Sequence, residues 1–343
     1  MNKDSKIFIA GAAGMVGSAI VRNLLKKQFR NIVGTWHSKS PDPQIYQPYN
    51  RLGELPEALK LNQVDLTIQN QVRSFLEKEK PDYVFFAAAK VGGIQANNEF
   101  PADFIHKNLT IQGNIIHSAY QFGVERLLFL GSSCIYPKEA CQPIKEEYLL
   151  TGLLEPTNEP YAIAKIAGIK MCEAFNRQFR TQFIAIMPTN LYGPNDNFDL
   201  TTSHVLPSML RKFHDAKQTG TKEVVIWGTG KPRREFLHVD DLADFSVFAM
   251  ALQDEVVKKQ FLSYPYPCFV NVGTGKDLTI EELAHLVKNI VGFSGSVVFD
   301  QSKPDGTPRK LLDISRLSAL GWKPSIELEK GIEDTYKWYR ATK

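Results

Sequence analysis

Three groups of residues in this 343-residue sequence have the types and spacing that acid–base chemistry needs. The first is Tyr161-Ala-Ile-Ala-Lys165, a phenol and an ammonium four positions apart and so on one face of a helix. A free phenol, with a pKa of about 10, is a poor acid–base group at neutral pH until a neighbouring cation lowers that value. The second group is Ser132 and Ser133, at the end of an apolar run, where a hydroxyl can share a substrate oxygen with the phenol. Together these residues suit reduction of a carbonyl beside a nicotinamide. The third is Cys134, which follows the serines directly in LGSSCIYP. Its thiol can give or take a proton where a further hydroxyl could only steady an oxygen.

Such a reduction needs a dinucleotide, and the N-terminus offers a place for one. The run from Gly11 through Ala12, Ala13, Gly14, Met15 and Val16 to Gly17 follows a strand-like segment and opens a helix. Glycines at this spacing let the backbone approach a pyrophosphate, whose charge is met by unpaired N–H groups at the helix N-terminus. The second strand ends in GTWHSK, with no acid to take a ribose 2′-hydroxyl. Ser38 and Lys39, with His37, suit a 2′-phosphate instead, so NADP is expected in preference to NAD.

These residues must be positioned by the elements around them. Short apolar runs alternate with amphipathic segments through the first half of the chain, the pattern of parallel strands joined by crossover helices. Strands are expected at Lys6–Gly11, Asn31–Thr35, Tyr83–Ala88, Arg126–Gly131 and Phe183–Met187. Helices are expected at Val16–Lys27, Ile68–Lys80, Pro101–Phe122 and Tyr161–Phe179. The fold class is therefore α/β, a Rossmann-type doubly wound parallel sheet. The stretch Ser38–Asn62, with three prolines in KSPDPQIYQPYN, reads as a surface excursion, a loop with a short helix. After Gly193 come shorter pieces: a helix at Leu206–Lys217, a strand at Glu223–Trp227, and helices at Asp241–Leu252 and Thr279–Val291. The expected division is a dinucleotide-binding domain over 1–190 and a smaller, mainly substrate-binding lobe over 191–343, some of whose segments return to the sheet.

Composition narrows the function classes. Lys and Arg outnumber Asp and Glu by only 41 to 37, which suits a small anionic substrate and lacks the basic stripe of a nucleic-acid binder. No apolar run reaches the roughly 18 residues of a membrane span, and the first strand begins at Lys6 with no room for a signal peptide, so a cytoplasmic location is expected. Cys134, Cys141, Cys172 and Cys268 form no C-x-x-C pair, so free thiols and no metal are expected.

The stretches GMVGSAI, AAAKVGGI, FLGSSCIYPK, EPTNEPYAIAKIAGIK, MPTNLYGP, REFLHVDD and KPDGTPRKLLD cover most of the chain outside the excursion. In them the sequence resembles the extended short-chain dehydrogenase/reductases that act on nucleotide sugars. Within that family it is similar to the branch that epimerises GDP-4-keto-6-deoxy-D-mannose at C3 and C5 and reduces it at C4 with NADPH. The resemblance implies that Tyr161 gives a proton to the C4 oxygen, that Lys165 holds the cofactor ribose and tunes Tyr161, and that Ser132 steadies the same oxygen. It also implies that Cys134 and His204, in SHVLP, are the acid–base pair of epimerisation. Further cofactor contacts are implied at Leu130, Gly131 and Ser133, at Pro188, Thr189, Asn190 and Leu191, and at His204. Lys212, Trp227, Arg234 and Asp305 would hold the GDP-sugar. Trp227 offers a face to guanine, Arg234 a fork to phosphate, and Asp305 a carboxylate to sugar or base donors. Where family members often carry arginine, this chain has Ala13, which leaves the 2′-phosphate to Ser38 and Lys39, and Lys212, which keeps a charge but loses the bidentate fork. A homodimer through the helices at Pro101–Phe122 and Tyr161–Phe179 is expected.

A 4-keto group acidifies the hydrogens at C3 and C5, and inverting either centre takes a proton from one face and returns one to the other. A free thiol (about 8.5) and a free imidazole (about 6.5) can both exchange protons near neutral pH. Two other readings share the fold. A nucleotide-sugar 4-epimerase or 4,6-dehydratase usually retains NAD, and the dehydratases typically present an Asp-Glu pair near Ser133–Cys134, where this chain has neither acid. A non-enzymatic dinucleotide sensor would be expected to have lost Tyr161 or Lys165.

Overall fold

The computed structural model describes residues 1–38, 40–49, 53–303 and 305–342. The first half runs β1 (Ile7–Ala10), α1 (Met15–Lys26), β2 (Ile32–Trp36), β3 (Leu59–Gln63), α2 (Gln69–Glu79), β4 (Tyr83–Phe86), α3 (Ile94–Glu99), α4 (Pro101–Gln121), β5 (Arg126–Leu130), α5 (Glu159–Phe179) and β6 (Gln182–Pro188). The second half continues with β7 (Asn190–Tyr192), α6 (Val205–Thr219), β8 (Glu223–Trp227), β9 (Arg233–His238), α7 (Val239–Met250), α8 (Asp254–Phe261), β10 (Phe269–Val272), β11 (Asp277–Thr279), α9 (Ile280–Val291), β12 (Ser296–Asp300), β13 (Arg309–Lys310), α10 (Ser315–Ala319) and α11 (Leu328–Ala341).

Seven parallel strands form the main sheet in the order β3-β2-β1-β4-β5-β6-β10. Strand order reverses between β1 and β4, which opens the crevice at the carboxyl ends where ligands bind doubly wound sheets. Strands such as IFIA, YVFF and RLLFL are buried throughout because helices cover both faces. Apolar residues of α1 and α7 pack on one face, and those of α2, α4 and α5 on the other. A third core joins α6, α9 and α11 to β8 and β9. In this smaller lobe β9 is central, paired with β7, β11 and β13, and β8 pairs with β12. The seventh strand of the main sheet, β10, comes from the second half of the chain and pairs with β6.

The excursion after β2 corrects the expectation of a surface loop. Its short 3₁₀ turn, Pro43–Tyr46, matches the expected short helix, but Ile45 and Tyr46 are buried and Leu59–Gln63 is a strand paired with β2. LKLNQ carries only two apolar residues, too short an alternation to signal a strand unless a neighbour supplies the ladder. Tyr46 donates its hydroxyl proton to the Ala12 carbonyl (3.2 Å), and Arg22 of α1 donates to the Ile45 carbonyl (2.9 Å) while pairing with Asp240 of α7 (2.6 Å).

Candidate active site

β5 leads straight into the reactive loop. Ser132 caps the 3₁₀ turn Ser133–Ile135, its Oγ accepting the Cys134 N–H at 3.3 Å, so one turn fixes hydroxyl and thiol side by side. Helix α5 lies against β5 because Gly168 permits close approach: a Cβ there would stand 2.3 Å from the Phe129 ring. That contact brings the first turns of α5, with Tyr161 and Lys165, to the end of the strand.

The Ser132 hydroxyl lies close enough to the Tyr161 phenol to favour its charged form. Burial pushes the Tyr161 phenol well above its ordinary value, the nearby Cys134 sulfur adds to the rise, and the Ser132 hydroxyl opposes it. Tyr161 is therefore kept as a neutral phenol, the form that can give a proton to a ketone oxygen. The Lys165 ammonium lies 5.8 Å from the Tyr161 ring centre and donates to the Leu130 carbonyl at 2.7 Å. Burial alone pushes Lys165 down to about 7. The tuning expected from Lys165 is accordingly weaker in this arrangement than burial, the dominant influence on the phenol.

Cys134 is half-buried and faces a cleft shared with Lys138, Glu155, Asn158, Arg309 and Lys310. The Asn158 amide approaches Sγ at 3.5 Å and the Lys310 ammonium at 3.8 Å. Neither residue was singled out from sequence. Both lie inside distinctive stretches, EPTNEPYAIAK and KPDGTPRKLLD, but only the tertiary fold brings them to the sulfur. His204 caps α6. Its side chain keeps an exposed surface, yet the protein packed around it disfavours the imidazolium, and the Lys310 charge lowers its pKa further. Among the described residues no hydrogen bond joins His204 to Cys134.

The glycine turn is held from several sides. The N–H groups of Gly11 and Ala12 donate to Thr35 (3.3 Å to Oγ1, 2.9 Å to the carbonyl), and Asn195 donates its side-chain amide to the Ala13 carbonyl at 3.0 Å. A Cβ on Gly17 would stand 2.1 Å from the Gly11 carbonyl oxygen. The first helical bond of α1 runs from Ser18 N–H to the Gly14 carbonyl (2.9 Å), so the N–H groups of Met15, Val16 and Gly17 have no intrahelical partner. This fits a pyrophosphate. Tyr46, Thr35 and Asn195 escaped the sequence reading because nothing local marks a side chain that folds back from 20 or more residues away.

Ser38 is exposed, His37 pairs with Asp65 at 3.4 Å, and Lys39 lies outside the described residues. Leu130, Gly131 and Ser133 are buried at the end of β5. Beside them, Pro188 and Thr189 are buried where β6 ends, and Asn190 and Leu191 begin β7 half-buried. Thr189 and Asn190 donate side-chain hydrogens to the Glu235 carbonyl (3.2 and 2.7 Å), which ties this strand end to β9.

The four residues assigned to the GDP-sugar line the smaller lobe. Trp227 ends β8 with 51% of its surface exposed, so it is no core residue, and Lys212 and Lys303 lie 5.9 and 5.5 Å from its ring centre. Lys212 also donates to the Val225 carbonyl at 3.0 Å. The Asp305 carboxylate accepts the Thr229 N–H (2.7 Å) and hydroxyl (2.8 Å), holding the turn after Trp227. Burial lowers the pKa of the Arg234 guanidinium, and the nearby Cys134, Asp305 and Glu155 oppose the shift only in part.

Comparison with known proteins agrees with this geometry. Residues 7–264 match the NAD dependent epimerase/dehydratase family. GDP-L-fucose synthase 1 of Arabidopsis thaliana is 54% identical over 338 residues, covering 98% of this chain and 94% of that protein. GDP-L-fucose synthase of Escherichia coli (strain K12) is 51% identical over 335 residues, covering 97% and 96%. Among solved structures, the GDP-mannoheptose C4 reductase from Campylobacter jejuni with NADP bound superposes with a TM-score of 0.83 at 42% identity, covering 99% of each chain. The chain belongs to the NAD dependent epimerase/dehydratase family, in its GDP-L-fucose synthase branch.

Proposed function

We propose that this chain converts GDP-4-keto-6-deoxy-D-mannose to GDP-L-fucose, epimerising C3 and C5 and then reducing C4, with NADPH as reductant. The observation that carries the reading is the thiol of Cys134 held one short turn from Ser132, beside the neutral Tyr161 phenol. A C4 reductase alone needs the phenol and the hydroxyl; the thiol is what an epimerase adds.

The nicotinamide, when bound, supplies hydride to C4. The turn from Gly11 to Gly17 holds the pyrophosphate on the α1 N-terminus, and Ser38 takes part at the 2′-phosphate. Lys165 holds the ribose. Tyr161 and Ser132 hold the C4 oxygen, first as it gains charge while a neighbouring carbon loses its proton, and later as Tyr161 protonates it. Cys134 and His204 move protons at C3 and C5 from opposite faces. Trp227, Lys212, Arg234 and Asp305 hold the GDP portion. We place the enzyme in the cytoplasm as a homodimer through α4 and α5; exposed Leu109 and Ile163 on those helices support the contact, and among the described residues no helix is long and apolar enough to cross a membrane.

Replacing Cys134 with Ser tests the assignment. Serine keeps size and hydrogen bonding but is too weak an acid to exchange protons, so deuterium entry from solvent at C3 and C5 should slow by roughly 10²-fold or more. Ketone reduction should persist and yield a different GDP-6-deoxyhexose. Wild-type exchange with GDP-L-fucose as single product would make the thiol structural.

A further inference from the structure

Three peptide groups link Gly11 to Gly14, and the fold holds two of them at both ends. In the group between Gly11 and Ala12, the carbonyl accepts the Gly14 N–H (3.1 Å) and the N–H donates to the Thr35 carbonyl (2.9 Å). In the group between Ala13 and Gly14, the carbonyl accepts the Asn195 amide (3.0 Å) and the N–H donates back to Gly11. The group between Ala12 and Ala13 is held at its carbonyl alone, by the Tyr46 hydroxyl at 3.2 Å. Carbonyl and N–H point in opposite directions across a trans peptide, so this contact turns the Ala13 N–H away from Tyr46. Among the described residues that N–H, on half-buried Ala13, has no acceptor. A peptide N–H without a partner is costly, and the group is oriented to meet one from outside the protein.

Tyr46 reaches the glycine turn from the excursion after β2, and its place there is fixed from several sides. Asp42 caps the 3₁₀ turn Pro43–Tyr46, its Oδ1 accepting the Gln44 N–H at 2.9 Å. Arg22 of α1, paired with Asp240, donates to the Ile45 carbonyl at 2.9 Å and so clamps the same turn. Tyr46 itself is fully buried, where a phenylalanine would fill the same space without the cost of taking a hydroxyl out of water. Burial keeps the phenol protonated against the opposing charge of Arg22, so the hydroxyl stays a donor. We propose that Tyr46 is a positioning residue for NADPH: by holding the Ala12 carbonyl it presents the Ala13 N–H, already oriented, to a phosphate oxygen of the dinucleotide. The excursion thereby becomes part of the cofactor site. The inference rests on the glycine turn as the place where the phosphates of the dinucleotide lie.

Full-length Tyr46→Phe keeps the ring and its packing and removes only the donor. NADPH is titrated into the variant and the wild type well below their melting midpoints, and KM for NADPH and kcat for ketone reduction are measured on both. The dissociation constant and KM for NADPH should rise about 3- to 10-fold, the range for one hydrogen bond, with kcat at saturating NADPH near wild type. A tyrosine that only packs would lower the melting midpoint and leave the NADPH affinity of the folded protein unchanged. Wild-type affinity therefore overturns the proposal whatever the melt shows, and so does a fall in kcat with KM unchanged. Gly14→Ala is measured alongside. If it binds NADPH as the wild type does, the placement of the phosphates has failed and the role of Tyr46 with it; if it binds weakly while Tyr46→Phe does not, only the role of Tyr46 has failed.

Discussion

Tyr161 carries its proton in surroundings that disfavour the phenolate, which supports its proposed role as donor to the ketone oxygen. Tyr161→Phe should lower ketone reduction by about 10²–10⁴, the usual range for one general acid, with NADPH binding near wild type. Steady-state reduction and cofactor titration read the two separately, and reduction at the wild-type rate would remove Tyr161 from the chemistry. Lys165 makes a different prediction. Burial takes its pKa from 10.5 to about 7, so between those values the unfolded chain binds a proton that the folded chain does not. Its burial penalty is full below about 7 and is relieved as pH rises toward 10.5, so this residue makes stability increase with pH. Melting wild type and Lys165→Met across that window should show the wild type gaining on the variant as pH rises; a difference independent of pH would contradict the shift. Tyr161, Lys165, Ser132 and Cys134 were legible in sequence because their spacing is local: one helical turn, or adjacent positions. Asn158 and Lys310 were not, because their contacts to Cys134 cross 24 and 176 residues of sequence.

At the scale of elements, the glycine turn separates two reasons for having glycine. Gly14 caps α1 with φ −79°, and a Cβ there would meet nothing closer than the Gly11 carbonyl oxygen at 3.5 Å. Gly17 has no such room. Gly14→Ala should therefore keep a melting midpoint near the wild type while weakening NADPH binding, because the methyl group intrudes where the pyrophosphate approaches. Gly17→Ala should lose both. Thermal melts with NADPH titration check this, and unchanged NADPH affinity in Gly14→Ala would place the pyrophosphate elsewhere. Helices α1, α2, α4 and α5 and strands β1, β2, β4, β5 and β6 were legible from periodicity, to within a residue or two at their ends, whereas the short α3 was not expected. The excursion was misread because its order is tertiary: Tyr46 is buried by reaching Ala12, and β3 becomes a strand by pairing with β2.

At the scale of the molecule, Glu235 joins the lobe to the sheet. Its buried carboxylate accepts the N–H groups of Thr274 (2.6 Å), Gly275 (2.7 Å) and Leu312 (3.0 Å), and its carbonyl holds Thr189 and Asn190. The junction holds the chain just after Lys310, whose ammonium lies 3.8 Å from the Cys134 sulfur. Such convergence leaves no periodic trace, since each partner is a single residue from a separate segment; a return of second-half segments to the sheet was expected, but nothing local marked Phe269–Val272 as the strand that makes it. The central claim is the proposal that a reductase site and a proton-exchange pair serve one C4 oxygen. Incubating the protein with GDP-4-keto-6-deoxy-D-mannose and NADPH in deuterated water, and identifying the product by NMR, tests it most directly. The account predicts GDP-L-fucose labelled at C3 and C5. An unlabelled GDP-6-deoxyhexose that keeps the substrate's configuration at both carbons would contradict it, and would leave a C4 reductase whose cysteine does no chemistry.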